Sequence, residues 1–355
     1  MDAFFASVEQ YRNHPELIGR PVCVGHDPRR GRGRGVVRAA SYEARAFGIR
    51  SGMPVSVAYR LCPEAVFISG RFSDYQAASA ELARVLRRFA DRGMVRKASI
   101  DEAFLDVSES VTHYDSPRAL AEEVQTAVRK ETRLPCSIGV GPNMTVAKIA
   151  TSSSKPNGMT VVGPSRAEVL KFLAPLPVDA IPGVGPKSAA RLASHGITTI
   201  GQVQRMQPMD LYALLGRWGL WLHERANGID DRPVLDSASH GRKSISKDHT
   251  FMEDVDGWDE GLLCSSLLRL CDRVAEKLTQ RQLGFRTVTV RIRYSDFTTV
   301  QKTQSLRVCT ADRGTLRRIA LSLLDQRDHS RRLRMIGVKV GGLEDLSTQA
   351  LLVQA

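Results

Sequence analysis

The chain has no two cysteines spaced Cys-x-x-Cys and no apolar run approaching the roughly 20 residues of a membrane span. It also has no basic region ahead of its apolar start, Met1-Asp2-Ala3-Phe4-Phe5. The last two absences predict neither a membrane helix nor a secretory signal. The first predicts a reducing, cytoplasmic compartment and no zinc site, with six cysteines scattered at 23, 62, 136, 264, 271 and 309. Cys264 and Cys271 lie seven apart on one face of a predicted helix and read as core. Acidic residues are in deficit: 51 Lys and Arg against 38 Asp and Glu leave a net charge of +13. That imbalance predicts a polyanionic partner, a nucleic acid or an acidic membrane surface. The remaining composition, 42% hydrophobic and 25% charged, is that of a soluble protein, and 355 residues allow two to four domains.

Against that background two acids stand out. Asp101 and Glu102 interrupt the apolar stretch Ala98-Ser99-Ile100-Asp101-Glu102-Ala103-Phe104-Leu105, whose flanks read as strand. Two carboxylates in a core strand cost several kcal/mol unless a cation meets them. A hard divalent cation such as Mg2+, its shell completed by substrate phosphates, is the usual solution and implies phosphoryl-transfer chemistry. A surface hairpin with Asp-Glu at its tip is the alternative reading of the same residues.

Residues 1–10 read as a strand entered midway. Residues 11–71 are rich in Gly and Arg, with Arg29-Arg30-Gly31-Arg32-Gly33-Arg34-Gly35 as a flexible basic loop. Tyr75, Ala78, Leu82, Val85, Leu86 and Phe89 form the stripe of a helix over 74–90. After the Asp-Glu hairpin, Ser116 as N-cap and Pro117 at the first helical position open a second helix. Residues 136–140 read as strand, 144–153 as helix, Lys155-Pro156-Asn157-Gly158 as a turn and 159–162 as strand. Together they predict an α+β sheet with helices on one face.

Residues 165–235 read as short helices around Ile181-Pro182-Gly183-Val184-Gly185-Pro186-Lys187, a helix-hairpin-helix pattern. Glycine there permits a tight turn and lets backbone N–H groups approach a phosphate. Lys187 and the next helix N-terminus add positive potential. A plain αα turn is the alternative; the Pro-Gly-Val-Gly-Pro-Lys sequence favours contact with DNA backbone. Residues 236–243 are small and polar and read as a linker. In 244–345, a separate α+β unit, Val288, Val290, Ile292 and Tyr294 alternate with Thr289, Arg291 and Arg293. One face of that strand packs on helices and the other offers arginine to solvent. Strands at 302–308 and 335–340 extend the sheet. The alternative is arginine for solubility; the net charge favours a DNA-backbone surface.

Six segments then line up in order: Met1-Asp2-Ala3-Phe4-Phe5-Ala6-Ser7-Val8-Glu9; Ser41-Tyr42-Glu43-Ala44-Arg45 with residues 47–54; Ser99-Ile100-Asp101-Glu102-Ala103; Lys155-Pro156-Asn157-Gly158; the 182–187 hairpin; and Arg334-Met335-Ile336-Gly337-Val338. They resemble the motifs of the Y-family translesion DNA polymerases of the DinB or DNA polymerase IV type, and the resemblance spans the chain. It implies an α+β, multidomain right hand. A ferredoxin-like palm (1–10 and 72–164) carries small fingers (11–71) and a helix-hairpin-helix thumb (165–235). A linker (236–243), an α+β little finger (244–345) and a tail (346–355) follow. The implied activity is template-directed DNA synthesis of low fidelity past damage, by Mg2+-dependent nucleotidyl transfer. The implied partners of a cytoplasmic monomer are primer-template DNA and deoxynucleoside triphosphates.

Residue roles follow from the same resemblance. Asp101 and Glu102 would hold two Mg2+ ions, with the Met1 carbonyl as a further donor. Tyr42 and Arg45 would bind the incoming triphosphate with Lys155. Phe5 would be the ring that blocks a ribose 2′-hydroxyl, and Val36 and Arg38 match the positions that roof the nascent base pair. Gly183, Gly185 and Lys187 would hold DNA backbone, as would Arg291, Arg293, Arg334 and Lys339. Two departures stand against the pattern. The family's first motif begins with a metal-binding Asp just ahead of the position of Met1, so the natural protein is expected to carry several more residues. The alternative is a DNA-binding paralogue without catalysis. The family's clamp-binding tail is matched by Gln349-Ala350-Leu351-Leu352-Val353 only in degenerate form, which leaves a sliding clamp as an open partner. A palm-type nucleotide cyclase would also use acids on a hairpin, but gives no account of the helix-hairpin-helix or the arginine-faced sheet.

Overall fold

The computed structural model describes residues 1–30, 34–235 and 242–346. Part of the Arg-Gly loop, most of the expected linker and the clamp-like peptide at 349–353 lie outside them. Among the described residues no helix is long and apolar enough to cross a membrane. The chain divides into two units, Met1–Ser239 and His240–Ala355.

The first unit opens with a helix where a strand was expected. Ala3 takes a left-handed turn (φ 43°) and α1 (Phe4–Val8) follows, continuing as a π-helical turn over Glu9–Asn13. Ser7 closes this turn, its N–H bonding to the Ala3 carbonyl (2.9 Å) and its hydroxyl to the Asp2 carbonyl (2.6 Å). Phe4, Ala6 and Val8 thereby bury. Next come β1 (Val22–Val24), β2 (Ala39–Ala40), α2 (Tyr42–Ala46), α3 (Val55–Leu61) and β3 (Val66–Ile68). β1 is central, antiparallel to β2 and parallel to β3. Val37, Ile49, Val55 and Phe67 give this part its own core.

The long helices α4 (Phe72–Leu86) and α5 (Pro117–Thr132) flank a hairpin of β4 (Val95–Lys97) and β5 (Ala103–Leu105) in sequence. Ser116 caps α5 through the Ala119 N–H, with Pro117 in the first turn. β6 (Ile138–Val140), α6 (Met144–Ser153) and β7 (Met159–Val161) then form a parallel crossover unit. The single sheet expected here is two separate two-stranded ladders, β4-β5 and β6-β7. β5 and β6 line one cavity of about 200 Å³, floored by Leu82, Leu86, Leu120, Val124 and Val128. The main chain of Met1 and Asp2 spans the two sides, bonding Asp101 and Pro135, but turns away at Ala3 before it can pair either ladder.

Five short helices complete the unit: α7 (Arg166–Leu173), α8 (Pro186–Ala193), α9 (Ile200–Gln204), α10 (Pro208–Leu215) and α11 (Arg217–Ala226). They share a core with Val146 and Ile149 of α6. Beside that core the Asp230 carboxylate, fully buried, accepts hydrogen bonds from Arg232 (2.7 Å twice) and Thr145 (2.7 Å), with Arg225 at 3.6 Å. Burial alone would raise its pKa. The hydrogen bonds from Arg232 and Thr145 and the two guanidinium charges outweigh burial and bring it down to about 2.

The second unit holds β8 (Ser244–Val255), α12 (Glu260–Thr279), β9 (Leu283–Tyr294), β10 (Thr299–Thr310), α13 (Arg313–Asp325), β11 (Leu333–Gly341) and β12 (Glu344–Asp345). Its sheet runs β10-β9-β11-β8, all antiparallel, with β12 on the start of β9. Val288, Val290, Ile292 and Tyr294 face the core that α12 and α13 cover with Leu267, Leu270, Val274, Leu316 and Ile319. Cys271 is inside that core and Cys264 packs against it. All six cysteines are free thiols.

The Asp230 cluster makes the first unit sensitive to acid. Because the folded pKa is depressed, the carboxylate's contribution is complete above about pH 4 and is lost as pH falls through about 2. Asp230→Asn should therefore cost about 2–3 kcal/mol in chemical unfolding at pH 7, with the gap to wild type closing below pH 4. Equal stability at pH 7 would refute this account.

Candidate active site

Asp101 and Glu102 lie in the turn of the β4-β5 hairpin, just ahead of β5, and not within a strand. The Ala98 and Ser99 N–H groups both bond to the Glu102 carbonyl (2.9 and 3.2 Å), which closes the loop. At the tip both side chains are half-buried and keep some water, which costs less than full burial in the ladder. Asp101 Oδ1 accepts from Ser99 Oγ (2.5 Å), and the Asp101 carbonyl accepts from the Met1 nitrogen (2.8 Å). Glu102 Oε2 pairs with Lys148 Nζ on α6.

Asp2, only 1% exposed, gathers the other groups. Its carboxylate accepts from Ser137 Oγ (2.8 and 3.0 Å) and from the Asn157 N–H (2.8 Å). Arg129 bonds the Asn157 side chain from α5 (2.8 Å), so the 155–158 turn is held from two sides. Lys155, exposed, stands at the cavity that Asp101, Glu102 and Lys148 also line. On α2 the Arg45 guanidinium lies 4.6 Å from the Tyr42 ring centroid, and Arg45 Nε bonds the Ala40 carbonyl (3.1 Å). Tyr42 Oη is buried and makes no hydrogen bond. Burial raises its pKa, and the charge of Asp2 raises it further against Arg45. Met1, Asp101, Glu102 and Lys155 thus line one cavity, and Tyr42 lies within the field of Asp2. Phe5 is half-buried and stacks on Tyr75 (4.3 Å between centroids, 18°), whose hydroxyl donates to buried Glu9 (2.6 Å). Val36 is exposed, and Arg38 bonds the Ser69 carbonyl (3.1 Å).

The other expected residues belong to other elements. Gly183 has φ +107°, and a Cβ there would meet Trp221 at 2.9 Å, so glycine is demanded twice over. Gly185 caps α8 with open space where a side chain would stand, and Lys187 is exposed in the first turn of α8. In the second unit the arginines expected to face solvent are half-buried and partnered. Arg291 pairs with Asp248 (3.5 Å) and Arg293 Nε donates to Thr299 Oγ1 (2.9 Å). The reason is Gly337 of β11, opposite both Arg291 and Asp248 in the sheet. A Cβ there would sit 1.9 Å from Asp248 Oδ1. Arg334 stands at the β11 irregularity with its guanidinium over Phe297 (4.5 Å), and Lys339 is exposed.

Three residues were missed from sequence: Asp2 as an anchor, Ser137 and Lys148. Lys148 had a signal, since it is the one charged residue of the helix Met144–Ser153. Among the described residues the one cluster of three metal-type ligands, Glu260, Asp325 and His329, is in the second unit. Buried Arg327 already pairs with its Glu260.

The chain is similar to known proteins over nearly its whole length. The chain matches the model of the impB/mucB/samB family over residues 1–152, that of the family's C-terminal domain over 242–352 and that of its HHH motif over 166–197. DNA polymerase IV of Methanoculleus marisnigri is 44% identical over 97% of this chain and 93% of its own length. DNA polymerase IV 2 of Methanosarcina mazei is 39% identical over 99% and 93%. A Y-family DNA polymerase chimera of Dbh and Dpo4 matches in structure with a TM-score of 0.87 at 30% identity, over 97% of each chain. The insertion ternary complex of Dbh DNA polymerase matches at 0.65 and 29%, again over 97% of each. These matches define a DNA-directed DNA polymerase. The chain belongs to the Y family of these enzymes, in its DNA polymerase IV branch.

Asp2→Ala should lower stability by about 3 kcal/mol and release the 155–158 turn, read as faster hydrogen exchange at the Asn157 amide. Unchanged stability with unchanged exchange would show that the carboxylate is not the anchor.

Proposed function

We propose that this polymerase extends a primer on damaged template, with low fidelity, by Mg2+-dependent nucleotidyl transfer at the Asp101-Glu102 loop. The observation that carries the proposal is the pair of half-buried carboxylates facing, across one cavity, the lysine of the 155–158 turn. Asp101 and Glu102 offer hard oxygen donors, and both keep solvent access, a set that suits a hard divalent cation with phosphate co-ligands. Those two residues, with the Met1 carbonyl, would hold the ions. When bound, such ions neutralise polyphosphate charge and make the primer 3′-hydroxyl a better nucleophile. Lys155 and Arg45 orient the triphosphate, Lys155 as a point charge and Arg45 through its planar fork. The unpartnered Tyr42 hydroxyl is a donor for the same anion. Phe5, pinned by Tyr75, excludes a 2′-hydroxyl.

The parts of the chain take the roles of a right hand. Residues 1–10 and 72–164 are the palm, 11–71 the fingers, 165–235 the thumb and 244–345 the little finger. Gly183, Gly185 and Lys187 meet DNA phosphates at the start of α8, with Arg291, Arg293, Arg334 and Lys339 as the contacts of the second unit. The Dbh neighbour described as an insertion ternary complex supports primer-template DNA and nucleotide as partners.

Asp101→Ala and Glu102→Ala should each lower primer extension by at least a factor of about a thousand while DNA affinity stays within about twofold. Near-wild-type extension by either variant overturns the assignment. Loss of extension in the unmutated chain, with DNA binding kept, would leave a binding protein in place of an enzyme. Phe5→Ala should lower the ratio of kcat/KM for dATP over ATP by about a hundredfold or more, with DNA affinity unchanged. An unchanged ratio would make Phe5 a core residue alone.

A further inference from the structure

We propose that Lys148 is a positioning residue of the acid loop: it holds Glu102 as an internal counter-cation and yields it to divalent metal, thereby setting the metal concentration at which the site fills. The inference rests on the reading of Asp101 and Glu102 as metal ligands.

The two adjacent acids are held by different partners. Asp101 takes the Ser99 hydroxyl, and Glu102 takes Lys148 Nζ at 2.5 Å. Each member of the ion pair is about a third exposed. An exposed pair of this kind contributes little when both side chains are free to wander. Lys148 is less free, because α6 is fixed at its start. Asn143 caps the helix and donates to the Gly228 carbonyl (2.7 Å), and Thr145 bonds buried Asp230. The ammonium is therefore presented to Glu102 by a fixed helix. Lys148 cancels one of the two negative charges of Asp101 and Glu102. A divalent cation must compete with the ammonium for Glu102 and then shares the loop with it. The displaced ammonium stays beside the ion, adding to the positive charge that meets a polyphosphate.

The test is a Mn2+ titration of the full chain, read by the EPR signal of free Mn2+. Wild type, Lys148→Met and Lys148→Arg are compared, each also in a Glu102→Gln background, with Asp101→Ala marking the site. Removing one unit charge next to a doubly charged ion, in a largely watery medium, is worth about a factor of ten. Lys148→Met should bind Mn2+ about tenfold tighter and Lys148→Arg within about twofold of wild type. The tightening should shrink in the Glu102→Gln background, where the competition for the carboxylate is gone and only the repulsion between ammonium and ion remains. Primer extension by Lys148→Met should show a lower metal midpoint together with a lower kcat, a split that a purely structural loss does not produce. An equal or weaker Mn2+ midpoint in Lys148→Met overturns the inference, and Lys148→Gln provides the same comparison if the Met variant fails to fold. No Asp101-dependent Mn2+ binding in wild type overturns the metal-site reading itself. Binding by wild type with an unshifted Lys148→Met midpoint overturns only the role of Lys148.

Discussion

Burying the Asp2 carboxylate costs several kcal/mol unless its oxygens find donors. Ser137 and the Asn157 amide supply them, from 135 and 155 residues further along the chain. The first motif, the start of the β6-α6-β7 unit and its closing turn are therefore held at one point. The neighbouring Met1 nitrogen adds the Asp101 loop. Lys155 is two residues from Asn157, so the lysine proposed for phosphate cannot drift while Asp2 stays bonded. The Tyr42 phenol also senses the charge of Asp2. Asp101, Lys155 and Tyr42 are thus each linked to this carboxylate through a neighbour or two.

That connectivity explains what could be read from sequence. Local devices were legible: the Ser116-Pro117 start of α5, the limits of α6 and the alternation of residues 287–294 each depend on neighbours within one or two turns. So was the Pro-Gly-Val-Gly-Pro-Lys turn, because its residue types are unusual where they stand; the acid pair stood out as well, but it sits at the hairpin tip, the alternative placement, and not in a core strand. Long-range placement was not. Residues 1–10 have the apolar content of a strand, but the left-handed Ala3 and the Ser7 contacts turn them into helix. The two ladders looked like one sheet because periodicity identifies strands without saying which edges meet. Asp2 drew no separate role, since its donors lie far away in the chain.

The second unit shows why a net charge of +13 does not count free cations. Arg291 pairs with Asp248, Arg286 with Glu344, and Arg313 and Arg317 share Asp272. Guanidinium hydrogen bonds lower the pKa of two of those carboxylates, Asp272 and Glu344. A paired arginine must give up its carboxylate before it can take a phosphate, which reduces the net gain of the exchange. Exposed Lys339 and Lys187 meet no such competition from these pairs. The salt dependence of DNA binding should therefore follow the exposed lysines more closely than the arginine count of the sheet.

Placement of the Lys148 charge traces back to a residue with no side chain. A Cβ on Gly139 of β6 would stand 2.2 Å from the Ala147 carbonyl oxygen and 2.3 Å from the Thr151 nitrogen. Both atoms belong to the α6 backbone on either side of Lys148. Any other residue at 139 would push the helix off the strand by about 1 Å to restore van der Waals contact. At the ion pair, a shift of that size lengthens a direct N–H···O contact beyond hydrogen-bond range and lets water between the partners. The counter-charge of Glu102 thus depends on how closely α6 can lie on β6, and that closeness requires glycine at 139.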